Sequence, residues 1–189
     1  MKKILMLLAA AALLASCASG PKSKLESLPA GAKADMSAYA TYDADTDYVF
    51  VESSIREMYE RTRRKESFVI FFGFAGCPWC RDFMPVMNEA ARKSGCDTVF
   101  YANSRENPAW KSNLDMDDYD LLVQMAYNYL PLDENNIRHL DAPTAYFVKN
   151  GKIRKAVGSL SYDAIHETIP ASEREKLLKE LLAGFKAIR

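Results

Sequence analysis

An unbroken apolar run, Phe68-Val69-Ile70-Phe71-Phe72-Gly73-Phe74, stops just short of Cys77-Pro78-Trp79-Cys80, and this junction constrains the fold more than any other feature of the chain. A strand with no polar alternation is one covered on both faces, at the centre of a sheet. Two residues between the cysteines place both sulfurs on the first turn of a following helix, close enough to form a disulfide with little backbone movement. Cys77 then lies where unpaired amides and the helix dipole favour negative charge, so it is expected to ionise more readily than an ordinary cysteine. Pro78 suits the first helical position, where a missing N–H costs little, and Trp79 sets a flat, uncharged surface beside what is expected to be an exposed sulfur.

Strand and helix signals alternate around this junction. Tyr48 to Val51 predicts a short strand, and Ser54 with Glu57 makes a capping box that opens a helix through about Arg64, with Ile55, Met58 and Tyr59 on one face. The run Arg61-Thr62-Arg63-Arg64-Lys65 reads as its solvated end, where cations suit the dipole. After the dithiol a helix is expected to Lys93, with Phe83, Val86, Met87 and Ala90 buried and a kink at Pro85. Thr98 to Tyr101 predicts a strand, Asp117 to Tyr129 a helix, and Ala145 to Val148 with Ile153 to Val157 a hairpin across Lys149-Asn150-Gly151-Lys152. Ser172 to about Ile188 closes the chain as a helix.

The amino-terminal end has a different character. Lys2 and Lys3 precede the apolar stretch Ile4 to Leu14, and Leu14-Ala15-Ser16-Cys17 follows. The stretch is short for a membrane span, which needs about 20 residues, and small residues before a cysteine suit cleavage in front of it. The segment resembles a bacterial lipoprotein signal, 1–16, which implies a lipid on Cys17 and a mature chain outside the cytoplasm. An ordinary secretory signal is the alternative. Ala18, where an acidic residue could stand, resembles lipoproteins sent to the outer membrane, so the expected location is the envelope, on the outer face of the cytoplasmic membrane or on the outer membrane. Residues 17–46 are rich in Ser, Ala, Lys, Gly and Pro without an apolar period, and read as a flexible tether, with Met36 to Tyr42 the part best able to pack on the domain instead.

Residues 47–189 are enough for one domain. Basic and acidic side chains number 25 each, and loss of Lys2 and Lys3 leaves 23 against 25, a balance that argues against a nucleic-acid partner. Four cysteines, divided into Cys17, the close pair and Cys96, do not make a disulfide framework. Cys96 reads as a buried small residue. No metal is expected, because a tetrahedral site needs two ligands beyond Cys77 and Cys80, and His139 and His166 lack the spacing to supply them. No other cofactor is called for, and His139 reads as a loop histidine near the site.

A strand leading into Cys-Pro-Trp-Cys, a proline-containing helix, Ala142-Pro143-Thr144 before a strand, Lys149-Asn150-Gly151 and Val157-Gly158-Ser159-Leu160, in that order, resemble thioredoxin over about Tyr48 to Arg189. The resemblance implies an α/β thioredoxin fold, a mixed sheet flanked by helices. It further implies a cis Ala142-Pro143 bond beside Cys77, with Ala142-Pro143-Thr144 as the substrate-binding segment: Ala142 offers backbone hydrogen bonds to an extended substrate and Pro143 shapes the sulfur site. Cys77 is then the nucleophile and Cys80 the resolving thiol of a monomeric thiol-disulfide oxidoreductase, acting on protein disulfides and served by a redox partner. A histidine at position 79 would resemble the strong oxidants of this superfamily; Trp79 implies a more reducing or intermediate potential.

Three departures from thioredoxin stand out. Phe71 occupies the position of its buried acid, six residues before the nucleophile, and Gly76 that of its tryptophan. Cys-Pro-Trp-Cys-Arg is closer to the glutaredoxin dithiol, although no glutathione is implied. Residues 103–141, with Trp110, Asp115, Met116, Asp117 and Asp118, exceed the corresponding thioredoxin segment and are expected to add helical structure before the Ala142-Pro143 segment, shaping substrate choice or merely elaborating the surface. The competing function is a non-catalytic thioredoxin-like binding module with a structural Cys77-Cys80 disulfide.

Overall fold

The computed structural model describes residues 31–104, 116–158, 160–165 and 168–189. The lipoprotein signal 1–16, Cys17 and the tether as far as residue 30 lie outside the described residues, as do Trp110, Asp115, Ser159 and His166. Strands β1 (Phe50–Glu52), β2 (Phe68–Gly73), β3 (Val99–Asn103), β4 (Thr144–Lys149) and β5 (Lys152–Gly158) form one sheet in the order β1-β3-β2-β4-β5. The first three are mutually parallel, while β4 runs antiparallel to β2 and β5 to β4. Helices α2 (Pro78–Lys93) and α4 (Ala171–Ala187) cover one face, and α1 (Ile55–Arg63) and α3 (Met116–Ala126) the other. This mixed, doubly covered sheet is the thioredoxin fold, and the extra length before β4 contributes α3 and a 3-10 turn, Tyr127–Tyr129.

Strand β2 is buried from end to end and divides its side chains between two cores. Val69 and Phe71 point toward α2 and α4, whereas Phe68, Ile70 and Phe72 pack under α1 and α3. Each fully buried phenylalanine contributes about 1.5–3 kcal/mol, so the strand that ends at the dithiol is among the best anchored parts of the chain. At the far end of the sheet, Asn150 and Gly151 turn the β4-β5 hairpin in left-handed backbone. A Cβ on Gly151 would lie 2.2 Å from the Thr62 carbonyl oxygen, so glycine is required there for space as well as for conformation.

Several expectations change. The flexible tether does not extend to residue 46, because the described part of it, from Gly31 onward, is packed on the domain. Glu52 N–H donates to Ala32 O at 2.9 Å and Ala34 N–H to Phe50 O at 3.1 Å, which adds an antiparallel piece beside β1. Met36 and Tyr39 are buried in the core with α2, and the Val49 N–H donates to Asn88 Oδ1 on α2 at 3.0 Å. Packing at Met36 to Tyr42, the alternative that the sequence offered for this stretch, is the arrangement that forms. The strand expected at Tyr48 to Val51 forms at Phe50–Glu52, since Val49 spends its amide on Asn88.

Arg61 also departs from its expected place. It is 4 % exposed, with its guanidinium 4.3 Å from the centroid of the Phe100 ring and ion pairs to Glu57 at 2.5 Å and Glu66 at 2.8 Å. Ser54 caps α1 by accepting from the Glu57 N–H at 3.1 Å, but the Glu57 carboxylate turns to Ser53 and Arg61 and does not close the reciprocal half of the capping box. A cation so placed is held by two carboxylates and an aromatic face, which together offset its desolvation.

Helix α2 runs unbroken through Pro85. Proline has no N–H for the carbonyl four residues earlier, that of Arg81. Thr41 Oγ1 donates to this carbonyl at 2.5 Å, so a side chain from the packed amino-terminal segment replaces the hydrogen bond that the helix cannot make itself.

Candidate active site

Strand β2 delivers the chain to the turn Phe74–Gly76, where the Cys77 N–H donates to Phe74 O at 3.1 Å. Cys77 is the N-cap of α2 in extended backbone, and its sulfur accepts from the Cys80 N–H at 3.1 Å. A serine or aspartate commonly fills this capping role; here a sulfur does. An amide aimed at sulfur from a helix N-terminus stabilises thiolate over thiol. On its other side the Cys77 thiol donates to Ala142 O at 3.5 Å, and the Ala142-Pro143 bond is cis, so the dithiol and the segment 65 residues later meet as the resemblance implies.

Cys77 and Cys80 are both free thiols with different surroundings. Cys80 is wholly buried, and that burial, followed by the hydrogen bond and charge of Cys77, pushes its thiol far up from the ordinary cysteine range. Cys77 is itself only 4 % exposed, which corrects the expectation of an open sulfur. Its neighbours Gly76 and Pro78 are more accessible than it is, so the sulfur is covered by what packs over it rather than by its depth in the chain.

Thr144 takes a supporting place. Its hydroxyl donates to Asp141 O at 2.7 Å and its side chain is buried, which fixes the bend into Ala142 and Pro143. Gly158 completes that bend from β5, since a Cβ there would stand 2.8 Å from Pro143 O and 3.0 Å from Thr144 Oγ1. His139 pairs with Asp141 at 2.9 Å on the loop before the bend. Cys96 is buried, with its thiol donating to Thr98 O at 3.1 Å, and burial pushes it up to about 11. Among the described residues, no group of three His, Cys, Asp or Glu side chains is arranged to hold a metal.

Where a buried acid was missing from the sequence, aromatic rings stand. Phe71 stacks on Phe83 at 5.2 Å and lies 5.7 Å from the Tyr101 ring. Behind Gly73, the Tyr39 and Tyr101 hydroxyls are 3.2 Å apart, and Tyr101 donates to Gly73 O at 3.2 Å. Burial pushes the Tyr39 phenol far above its ordinary value, with the neighbouring Tyr101 and both cysteines adding to the shift. The Tyr39 phenol therefore stays neutral and is no base for Cys80.

Asp82, Tyr162 and Ala164 went unread in the sequence. Arg81 grips the Asp82 carboxylate with Nε on Oδ1 at 2.9 Å and Nη2 on Oδ2 at 2.7 Å, and Tyr162 donates its hydroxyl to Oδ2 at 2.5 Å. Burial pushes the Asp82 carboxyl up, but these hydrogen bonds outweigh it and hold the group below the usual carboxylate range. The Trp79 indole N–H donates to Tyr162 O at 3.1 Å and Arg81 Nη2 to Ala164 O at 3.2 Å. One signal was available: Asp82 stands four residues before Val86, on the buried stripe of α2, where an unpaired acid would be costly.

No family model matches the chain, and no curated protein matches it. Solved structures similar to it include thioredoxin NaTrxh from Nicotiana alata, 17 % identical, covering 78 % of this chain and 100 % of that one with a TM-score of 0.42. Thioredoxin O2 from Arabidopsis thaliana, in the oxidized state, is 20 % identical, covering 62 % of this chain and 86 % of that one with a TM-score of 0.37. Thioredoxin O1 from the same plant is 17 % identical, covering 70 % and 97 % with a TM-score of 0.37.

Proposed function

We propose that this chain is a thiol-disulfide oxidoreductase in which Cys77 is the nucleophile and Cys80 the resolving thiol. The observation that carries this reading is the position of the Cys77 sulfur, which accepts from the Cys80 amide at 3.1 Å and faces Ala142 O at 3.5 Å next to cis Pro143. The Cys77 thiolate attacks one sulfur of a substrate disulfide, forming a mixed disulfide and releasing the other sulfur as a thiolate. Cys80 then gives up its proton and attacks the Cys77 sulfur, which closes the Cys77-Cys80 bond and releases the second substrate sulfur. Two electrons and two protons pass from the protein dithiol to the substrate, and a redox partner returns them. The Ala142 carbonyl, which accepts from the Cys77 thiol in the unliganded form, becomes available to an incoming backbone N–H once that thiol ionises.

In this reading the amino-terminal segment carries a lipid on Cys17, and the domain works outside the cytoplasm on disulfides of envelope or secreted proteins. The support is the sequence pattern of Lys2, Lys3, the apolar Ile4 to Leu14 stretch and Leu14-Ala15-Ser16-Cys17. Radiolabelled fatty acid incorporated by the native protein and lost with Cys17→Ser tests it.

The 4 % exposure of Cys77 favours a second reading, a binding module whose dithiol does not exchange. Equilibration of the protein in glutathione or dithiothreitol buffers, with Cys77→Ser as control, separates the two. A potential near about −270 mV marks a reductase that needs an electron donor, and one near about −120 mV a disulfide donor. A pair that stays oxidised in every buffer, or exchanges with no disulfide, overturns the catalytic reading.

A further inference from the structure

Resting on the catalytic reading, we infer that Tyr162 and Asp82 are positioning residues that set which disulfides reach Cys77, by holding Trp79 as a fixed wall of the site. The hydrogen bonds make a closed circuit. Trp79 is tied to the Tyr162 carbonyl, the Tyr162 hydroxyl to Asp82, Asp82 to Arg81, and Arg81 to the Ala164 carbonyl. Residues 79, 81 and 82 all lie in the opening turns of α2, directly after the nucleophile, while 162 and 164 come from the connection between β5 and α4.

The circuit has the physical character of a rigid brace. Asp82 is 4 % exposed and receives both arms of a guanidinium fork together with a short phenolic hydrogen bond, so its carboxylate has one geometry. Indole carries only one N–H, and its use on Tyr162 O fixes the plane of the ring. Trp79 packs against the cluster that contains Cys77 and Cys80. With Ala142 O at 3.5 Å on one side and a braced indole two residues along the chain, the 4 % exposure of Cys77 describes a slot rather than an open patch. A disulfide on an extended, flexible polypeptide segment can enter such a slot. One set in the surface of a folded protein cannot approach until Trp79 swings, and the brace opposes that.

The test compares exchange of the reduced protein with two substrates that share one aromatic leaving thiolate, carried by a short unstructured peptide or by a surface cysteine of a folded protein. Native protein is expected to prefer the peptide. Tyr162→Phe keeps the carbonyl on Trp79 but removes the brace to Asp82, and is expected to raise the folded-carrier rate about tenfold, the ratio that one charged hydrogen bond is worth, with the peptide rate within about twofold. Asp82→Asn is expected to give the same change of preference, and Trp79 emission, read in a Trp110→Phe background, shifts to the red in both. An unchanged preference and unchanged emission in both variants overturn the inference, as does a parallel fall of both rates together with thermal stability. If native protein exchanges with neither substrate, the catalytic reading fails by itself. The ratio of Cys77 alkylation by iodoacetamide and by a bulky rigid maleimide then decides the brace: a ratio that falls in Tyr162→Phe supports it, and an unchanged ratio overturns it.

Discussion

Thr41 and Pro85 make a prediction that can be worked through quantitatively. Pro85 leaves the Arg81 carbonyl without its intrahelical donor, and the Thr41 hydroxyl, 40 residues earlier in the sequence, supplies one at 2.5 Å. Thr41→Val keeps the side-chain volume and removes the donor. A hydrogen bond of this kind contributes about 1 kcal/mol, and a carbonyl left without a partner costs about 1–3 kcal/mol when buried. This contact is only partly buried, so the lower figure applies: about 1 kcal/mol of stability, or about 3 °C in the melting midpoint of a domain this size. In Pro85→Ala the helix regains an N–H at position 85, and the Arg81 carbonyl has its own partner. There Thr41→Val is expected to cost almost nothing, which gives a coupling energy of about 1 kcal/mol between residues that do not share an element. The assay is urea unfolding of the two single variants and the double variant, with unchanged denaturant dependence as evidence that the unfolded state is not involved. Equal costs of Thr41→Val in both backgrounds refute the reasoning, because the hydroxyl would then be serving something other than the gap left by proline.

Other perturbations have outcomes fixed by single contacts. The Asp82 carboxyl is held below its ordinary range, so the stability it lends is complete above its unfolded value of about 3.9 and fades as pH falls through the lower folded value; Asp82→Asn is expected to flatten acid unfolding in that window, and an identical acid profile counts against the Arg81 and Tyr162 contacts. Gly158→Ala drives a Cβ to 2.8 Å from Pro143 O, and is expected to cost about 1–3 kcal/mol and to slow exchange by displacing the segment opposite Cys77. Full exchange activity in that variant would show that the bend tolerates the displacement. Cys96, with its thiol raised to about 11, is expected to resist thiol reagents at pH near 8 until the protein unfolds, as counted by mass after timed alkylation.

The parts of the fold legible in the sequence are those whose cause is local. Seven nearly continuous apolar residues could only be a central strand, Asn150-Gly151 could only be a tight hairpin turn, and a proline directly after Cys77 marks a helix start; β2, the β4-β5 hairpin and α2 follow. The site was legible as far as its motif reached, to Cys77, Cys80, Ala142 and Pro143. What was hidden has partners distant in sequence. Met36 to Tyr42 could be marked as the stretch best able to pack, but not where, since the groove beside α2 that receives Met36 and Tyr39 is built by other elements. Arg61 sits in a run of cations that looks solvated, because the Phe100 ring that covers it lies on β3. Tyr162 has no pattern around it at all; its role comes from Asp82, 80 residues earlier.

The packed segment from Gly31 to Thr41 also determines how a mechanical load would enter the domain. Tension applied at Gly31 is met first by the bonds from Glu52 to Ala32 and from Ala34 to Phe50, which lie along the edge of the sheet and resist together. Behind them the force arrives at Tyr39, under the dithiol turn, and at Thr41, whose grip is on the opening turn of the same helix that carries Cys77. A pull from the amino-terminal side is therefore felt at the sulfur end of α2 before it reaches the centre of the sheet, so tension at Gly31 and the setting of the Cys77 sulfur are joined by a path of a few bonds.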